Sequence, residues 1–369
     1  MKLICSKSCL LNGVQIVSKA VPNKTTMSIL QCILIDASNE KIKLTANDME
    51  LGIETIIDGE IVEKGVVAID SKLFLDIVRK LPDSEITIQT DSSYKVLISC
   101  EKLEFNLLGK SGEDFSYLPV VEKKDGILVS QFTLKEVVRQ TIFSIADNDN
   151  NKLMTGELFD INGSELKVVS LDGHRVSIRK ILLKNEYDPV KVVVPGKTLN
   201  EISKILSGDT DKDVNIYFTS KHIVFEFDNT VVVSRLIEGE YFKIDMMLSS
   251  DYETKVKINK KEFLDCIDRA TLLVKEGDKK PIIIQINENS MELKINSIIG
   301  SMNENIDIEK NGKDMMIGFN PKFLIDALRV IDDEEIEIYL VNPKAPCFIK
   351  DAEENYIYLI LPVNFTTVN

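Results

Sequence analysis

Residues 66–89, VVAIDSKLFLDIVRKLPDSEITIQ, run from an apolar strand through a polar break into an amphipathic helix, then through a turn into another strand. The same order returns in VVVPGKTLNEISKILSGDTDKDVNIYF (192–218) and in MIGFNPKFLIDALRVIDDEEIEIYL (316–340). Pro195 lies 125 residues after Asp70, and Asn320 lies 125 after Pro195; a lysine follows each anchor within two residues (Lys72, Lys197, Lys322). Equal spacing at three anchors identifies an internal repeat.

Outward from these stretches, helical periodicity also covers Lys7–Val21, Leu134–Ala146 and Lys260–Lys275, so a further helix opens each copy. In the third, Phe263, Leu264, Ile267 and Ala270 form the apolar stripe. Between the helices lie KIKLTAND and ELGIETIIDG in the first copy, and ELKVVSLD and HRVSIRKILL in the second. They alternate with a period of two and are bounded by turn residues, as strands are. The linkers GEDF (112–115) and GEYF (239–242) echo one another. The expected organisation is three modules, residues 1–124, 125–250 and 251–369. Each is an α+β unit of two helices packed on one face of an antiparallel sheet. Sheets that continue into one another at the boundaries leave one free edge on the first module and another on the third. Two copies joined head to tail would close both edges into a ring.

A chain of 369 residues exceeds what one hydrophobic core supports, and 44% apolar residues suffice for several. The N-terminal MKLICSKSCLLNG lacks an apolar run long enough for a signal peptide, and Tyr356–Val363 is too short to span a membrane. A soluble, cytoplasmic protein with no membrane partner is expected. Cys5, Cys9, Cys32, Cys100, Cys266 and Cys347 form no CxxC pair and read as free thiols. With His174 and His222 the only histidines, neither a metal site nor a cofactor is expected.

The net charge of −14 argues against nucleic acid as a partner, but the distribution argues the other way. The three spans above together with Ser71–Lys80, Lys197–Leu206 and Pro321–Val330 carry +8, leaving −22 for the rest. A surface built from the helices would be positive on a negative molecule. Scattered lysines without interleaved aromatics suit phosphates rather than bases. No helix-turn-helix, zinc-finger or RNP motif accompanies them.

An ordered set of motifs carries a family likeness: LTANDMELGIE (44–54), GEDFSYLP (112–119), SLDGHRVS (170–177), VVVPGKTLNEI (192–202), IGFNPKFLIDAL (317–328) and YLILPV (358–363). Over essentially its whole length the chain resembles the bacterial DNA sliding clamps, the beta subunits of the replicative polymerase. In that family two three-domain chains form a closed ring whose inner helices surround duplex DNA, and the ring tethers polymerases. The resemblance implies a processivity factor that is not an enzyme, and a homodimer. It also implies as partners duplex DNA, a clamp-loader complex, and polymerase subunits and other proteins bearing short clamp-binding peptides.

Position by position, the resemblance implies a peptide pocket of Met154, Leu171, Gly173, His174, Arg175, Val176, Phe242, Met247, Pro362 and Val363. It implies DNA contacts at Lys24, Lys72, Arg79, Lys197 and Arg269. The ring joint would set Phe105 and Leu107 against Leu272 and Leu273. Three positions depart from the family pattern: Phe242 replaces a common proline, Leu171 a small polar residue and Asn364 an arginine. Read on their own residues, Asp172-Gly173 form a tight-turn signal that presents His174 and Arg175 beside apolar neighbours. Arg175 and backbone groups would orient a peptide with Leu- or Phe-type anchors. The plainer alternative is a hairpin turn in which His174 satisfies a local hydrogen bond.

Catalysis is the competing class, with Ser170, His174 and Asp172 as nucleophile, base and orienter. No G-x-S-x-G elbow, P-loop or HExxH motif supports it, and Asp332-Asp333 and Glu353-Glu354 fall in turns, where solvated charge is ordinary. A repeat-built adaptor that binds proteins but not DNA would share the pocket and lack the basic surface.

Overall fold

The computed structural model describes residues 1–124, 126–147, 150–248, 251–274 and 280–365. Among them are six α-helices: α1 (Lys7–Val17), α2 (Ser71–Lys80), α3 (Gln131–Thr141), α4 (Gly196–Ile205), α5 (Lys260–Thr271) and α6 (Pro321–Val330). Five begin after a side chain that accepts an N–H from the first turn. Ser6 accepts from Cys9 at 3.2 Å, Asp70 from Leu73 at 2.9 Å, and Ser130, Asn259 and Asn320 from Thr133, Glu262 and Lys322 at 3.0 Å. These bonds satisfy donors that a helix leaves orphaned at its start. The anchors Asp70, Pro195 and Asn320 are therefore the residues immediately before α2, α4 and α6, and the sequence repeat is a repeat of helix starts.

Helix α4 is shifted by one residue, and three spans differ from expectation by more. The first helix gives way at Ser18–Ala20 to a 3-10 turn ahead of Pro22. Because Ser130 caps it, α3 starts three residues early, and it too ends in a 3-10 turn at Ile142–Ser144. The fifth stops at Thr271; Lys275 lies outside the described residues. Each helix buries one face, as with Phe74, Ile77 and Val78 on α2 and Phe263, Cys266, Ile267 and Ala270 on α5. Helix α1 packs against α2, and α5 against α6.

The strands described form sheets of five, eight, seven and four strands. Sheets do continue across modules. In the eight-stranded sheet Leu51–Ile57 pairs antiparallel with Thr230–Arg235, setting Ile53 opposite Val232. In the seven-stranded sheet Arg175–Pro195 pairs with Tyr356–Ile360, setting Ile178 opposite Ile357. Each module supplies strands to two sheets rather than one. Alternation fixes which face of a strand is buried but not which strand lies beside it.

By contact the chain divides into two units, Met1–Lys135 with Lys197–Leu236, and Glu136–Gly196 with Ile237–Asn369. The first holds the five- and eight-stranded sheets and the second holds the other two. The middle module is thus shared, and unit borders do not follow the module borders at 124 and 250; residues 125 and 250 are themselves outside the described set.

The core is apolar and its cysteines are free; burial raises the Cys5 and Cys347 thiols to about 12. Several polar residues are buried with it, and one of them is an acid. Glu157, in the strand Gly156–Leu171, is 0% exposed and neither carboxylate oxygen has a hydrogen-bond partner. Burial pushes its pKa up to about 8, and Thr141 offers little relief because its hydroxyl donates to Val137 O at 2.8 Å. The folded state therefore keeps this carboxyl protonated at neutral pH, whereas the unfolded chain releases the proton near 4.5. Between those values the folded state binds more protons, so stability falls as pH rises from about 4.5 to about 8. Glu157→Gln is expected to remove this slope, worth about 1.4 kcal/mol per unit of pKa difference. Urea midpoints at pH 5 and 8 for both proteins check it, and parallel pH dependences would refute it.

Candidate functional site

The strands Gly156–Leu171 and Arg175–Pro195 form a long hairpin that closes at Leu171 opposite Val176. Its turn is held by Asp172, whose Oδ1 accepts from the N–H of His174 at 2.9 Å and of Arg175 at 3.1 Å. Gly173 takes φ +83°, a conformation that glycine adopts without steric cost. The tight turn read from Asp172-Gly173 is present. Its two following residues part ways: His174 is exposed and stacked on Phe323, ring centroids 6.0 Å apart, while Arg175 is buried.

Beside the turn opens a cavity of about 630 Å³. Met154, Leu171, Gly173, His174, Arg175, Val176, Phe242 and Met247 all line it, so segments distant in sequence meet as expected. Met246, Pro346, Leu359 and Leu361 line it as well and were not anticipated. The C-terminal segment enters through Leu361, whose N–H donates to His174 O at 2.9 Å. Pro362 and Val363 come next, and Val363 N–H donates to Gly318 O at 2.8 Å, tying the segment to the strand Met315–Phe319. Behind the cavity an apolar cluster including Leu158, Val169, Ile178, Tyr241 and Phe348 makes a firm floor, and Tyr241 O–H donates to Val169 O at 3.3 Å. Met246, 87% exposed, and Met247 form an adaptable rim.

Arg175 is anchored from within the chain. Its Nε donates to Asp172 Oδ2 at 3.0 Å, Nη1 donates to Asp326 Oδ2 at 2.7 Å, and Nη2 donates to Phe143 O. The guanidinium also lies 4.6 Å from the Phe323 ring centroid. These bonds use three of its five N–H donors and fix the side chain in the wall of the cavity.

The catalytic alternative dissolves on the same geometry. Ser170 is buried and donates to Thr141 O at 2.6 Å, and Asp172 holds backbone N–H groups and Arg175 rather than the His174 ring. Among the carboxylate pairs, Asp332 binds Arg139, Asp333 accepts from Tyr356 O–H, and Glu354 binds Lys350. No cluster of three potential metal ligands occurs among the described residues.

The five basic residues fare unequally. Lys24 and Lys72 are exposed, and Arg79 has only a 3.9 Å pair with Asp76. Lys197 is paired with Asp48, and Arg269 is held by Glu304, with Nε 2.9 Å from Oε2. Of the residues expected at the ring joint, Phe105 and Leu107 lie on Leu103–Leu108, an edge strand of the five-stranded sheet, beside Leu108 at 79% exposure. Leu272 at the end of α5 is 78% exposed. Leu273 packs partly on the core, close to the turn into Gly300–Asp307, the edge strand of the four-stranded sheet; Ile298 in that turn is 91% exposed.

Removing the Arg175 fork would leave two largely buried carboxylates uncompensated. Arg175→Ala is expected to lower the unfolding free energy by about 3–5 kcal/mol, and Arg175→Lys by less. Urea denaturation measures both, and a loss in the alanine variant no larger than at an exposed arginine would refute the assignment.

Comparisons with known proteins agree with this arrangement. The N-terminal, central and C-terminal domain models of the DNA polymerase III beta subunit match residues 1–119, 128–243 and 246–364. The chain is 34% identical to the beta sliding clamp of Staphylococcus epidermidis over 374 residues, covering 98% of this chain and 99% of that one. A crystal structure from Eubacterium rectale, assigned as a DNA polymerase III beta subunit, is 73% identical with a TM-score of 0.97, over 99% of this chain and 100% of that one. The DNA polymerase sliding clamp of Bacillus subtilis is 32% identical with a TM-score of 0.96 at the same coverage. Matched in order by all three domain models and by full-length relatives, the chain belongs to the DNA polymerase III beta subunit family, the DNA sliding clamps, which serve polymerases as processivity factors and are not enzymes.

Proposed function

We propose that two copies of this chain close head to tail around duplex DNA. In this reading the groove beside Asp172–Arg175 holds the short peptides by which polymerase subunits, the clamp loader and other partners attach. The observation that carries it is the groove itself, apolar, of a size for a few side chains and assembled from five segments separated in sequence. Its modules are 1–124, 125–250 and 251–369, and its compartment is the cytoplasm. Among the described residues no helix is long and apolar enough to cross a membrane.

Arg175 being fixed in the wall, a peptide would be held by apolar anchors and by backbone groups near His174. Each anchor contributes on the order of 1.5–3 kcal/mol before ordering costs, which gives micromolar affinity. Met247, Leu361 and the Pro362-Val363 segment would take the anchors. Met247→Ala is expected to weaken binding of a replicative polymerase tail peptide roughly fivefold, about 1 kcal/mol. Leu361→Asp should abolish it, with dimer mass unchanged in both. Calorimetry decides: wild-type affinity in both variants would place the peptide elsewhere.

For the ring, exposed leucines in the first and third modules supply the motive for association. Leu108 and Leu272 join Phe105, Leu107 and Leu273 in the proposed joint, with Leu272 the cleaner test because Leu273 also supports the core. Encirclement needs little direct affinity, so Lys24 and Lys72 act as loose phosphate contacts, while Lys197, Arg79 and Arg269 exchange a carboxylate for phosphate. Light scattering is expected to give twice 41.6 kDa for the wild type and a shift to monomer for Leu108→Asp with Leu272→Asp. The wild type should stay on nicked circular DNA and run off once it is linearised. Equal retention on both forms would overturn encirclement, and no retention on either would favour a protein-only adaptor.

A further inference from the structure

The first unit contains a counterpart of the groove's hairpin turn and its neighbouring strand. Its hairpin, Ile42–Asn47 and Leu51–Ile57, closes through Asp48, whose Oδ1 accepts from the N–H of Glu50 at 3.0 Å and of Leu51 at 2.7 Å. That is the bonding of Asp172 to His174 and Arg175. Met49 takes φ +77° where Gly173 takes +83°. The neighbouring strand arrives in the same way, because Arg235 N–H donates to Glu50 O at 2.9 Å as Leu361 N–H does to His174 O. A cleft opens here too, but it measures about 90 Å³ against about 630 Å³.

Two substitutions between the copies account for the difference. Gly52 stands where the second module has Val176, and Leu118 fills the space that a side chain there would need. A Cβ on Gly52 would fall 1.9 Å from Leu118 Cδ2. Asn47 stands where the second module has Leu171, and its Nδ2 donates to Ser116 O at 2.5 Å, binding the linker across the turn. Leucine offers no such bond, and the second linker leaves Met246 and Met247 exposed instead.

We infer that the cleft beside Asp48–Leu51 is a second copy of the partner groove, closed by the chain's own Leu118 in the place of a partner's apolar anchor. The chain thereby presents one open groove rather than two. This rests on the peptide reading of the first groove, and the test separates the two. A polymerase tail peptide with a photoreactive group at its anchor residue is titrated and cross-linked to full-length wild type, Leu118→Ala and Asn47→Ala. Wild type is expected to bind one equivalent and cross-link beside Met247. Leu118→Ala should bind a second, weaker equivalent and add a cross-link beside Met49 or Val233. Asn47→Ala, which leaves Leu118 in place, should speed amide exchange at residues 116–118 and give a fainter cross-link at the same spot. It carries the test alone if Leu118→Ala does not fold. A folded variant that cross-links only beside Met247 overturns the inference, whereas a wild type that binds no peptide overturns the groove reading instead.

Discussion

Five residues of backbone pairing, Arg175–Arg179 against Tyr356–Ile360, hold the second module to the third. The groove follows directly from that ladder. It brings Leu359 and Leu361 alongside the hairpin turn and places Arg175 where Asp326 of α6 meets its guanidinium. An unpaired strand in an apolar interior leaves donors and acceptors without partners, so the ladder is enforced by the cost of breaking it. The same constraint operates where Leu51–Ser234 pairing joins the first module to the second, which is why both junctions carry a hairpin turn of the same design.

The repeat gives three modules one backbone plan, and side chains then differentiate the copies. Position Gly52/Val176 decides whether a linker leucine seats beside the turn. Position Asn47/Leu171 decides whether the linker is tied down. A protein built by repetition has to dispose of the extra sites that repetition creates, and two small changes suffice here. Charge follows a similar logic: excess carboxylate lies close to the helices, so Lys197 and Arg269 reach it before any phosphate does.

Helices were the most legible part of the sequence because their information is local. The apolar faces of α2, α5 and α6 lie within ten or twelve residues, and the caps Asp70, Asn259 and Asn320 sit beside them. The division of each module between two sheets was not legible, since it depends on pairings more than a hundred residues apart, such as Ile53 with Val232. In the groove, the apolar members were found through the resemblance. Leu359 and Leu361 had a signal in the continuous apolar run YLILPV, whereas Met246 and Pro346 had none. The internal partners of Arg175 were not legible, because nothing near it in sequence announces Asp326 or the Phe143 carbonyl. Glu157 could have been flagged as an acid set among the apolar residues of GELFDI, although only the structure reveals that it has no partner.

The sharing of the middle module between two contact units also bears on synthesis at the ribosome. The first unit needs residues 197–236 to complete its eight-stranded sheet, so residues 1–135 emerge with the edge at Leu51–Ile57 uncovered. That edge must wait for the intervening residues 136–196, which belong to the other unit, before Thr230–Arg235 can cover it. A nascent chain in this state carries an exposed apolar strand for the whole interval, the kind of surface that chaperones bind and that drives aggregation when they are scarce. Gene fragments cut at the repeat boundary would make that transient state permanent.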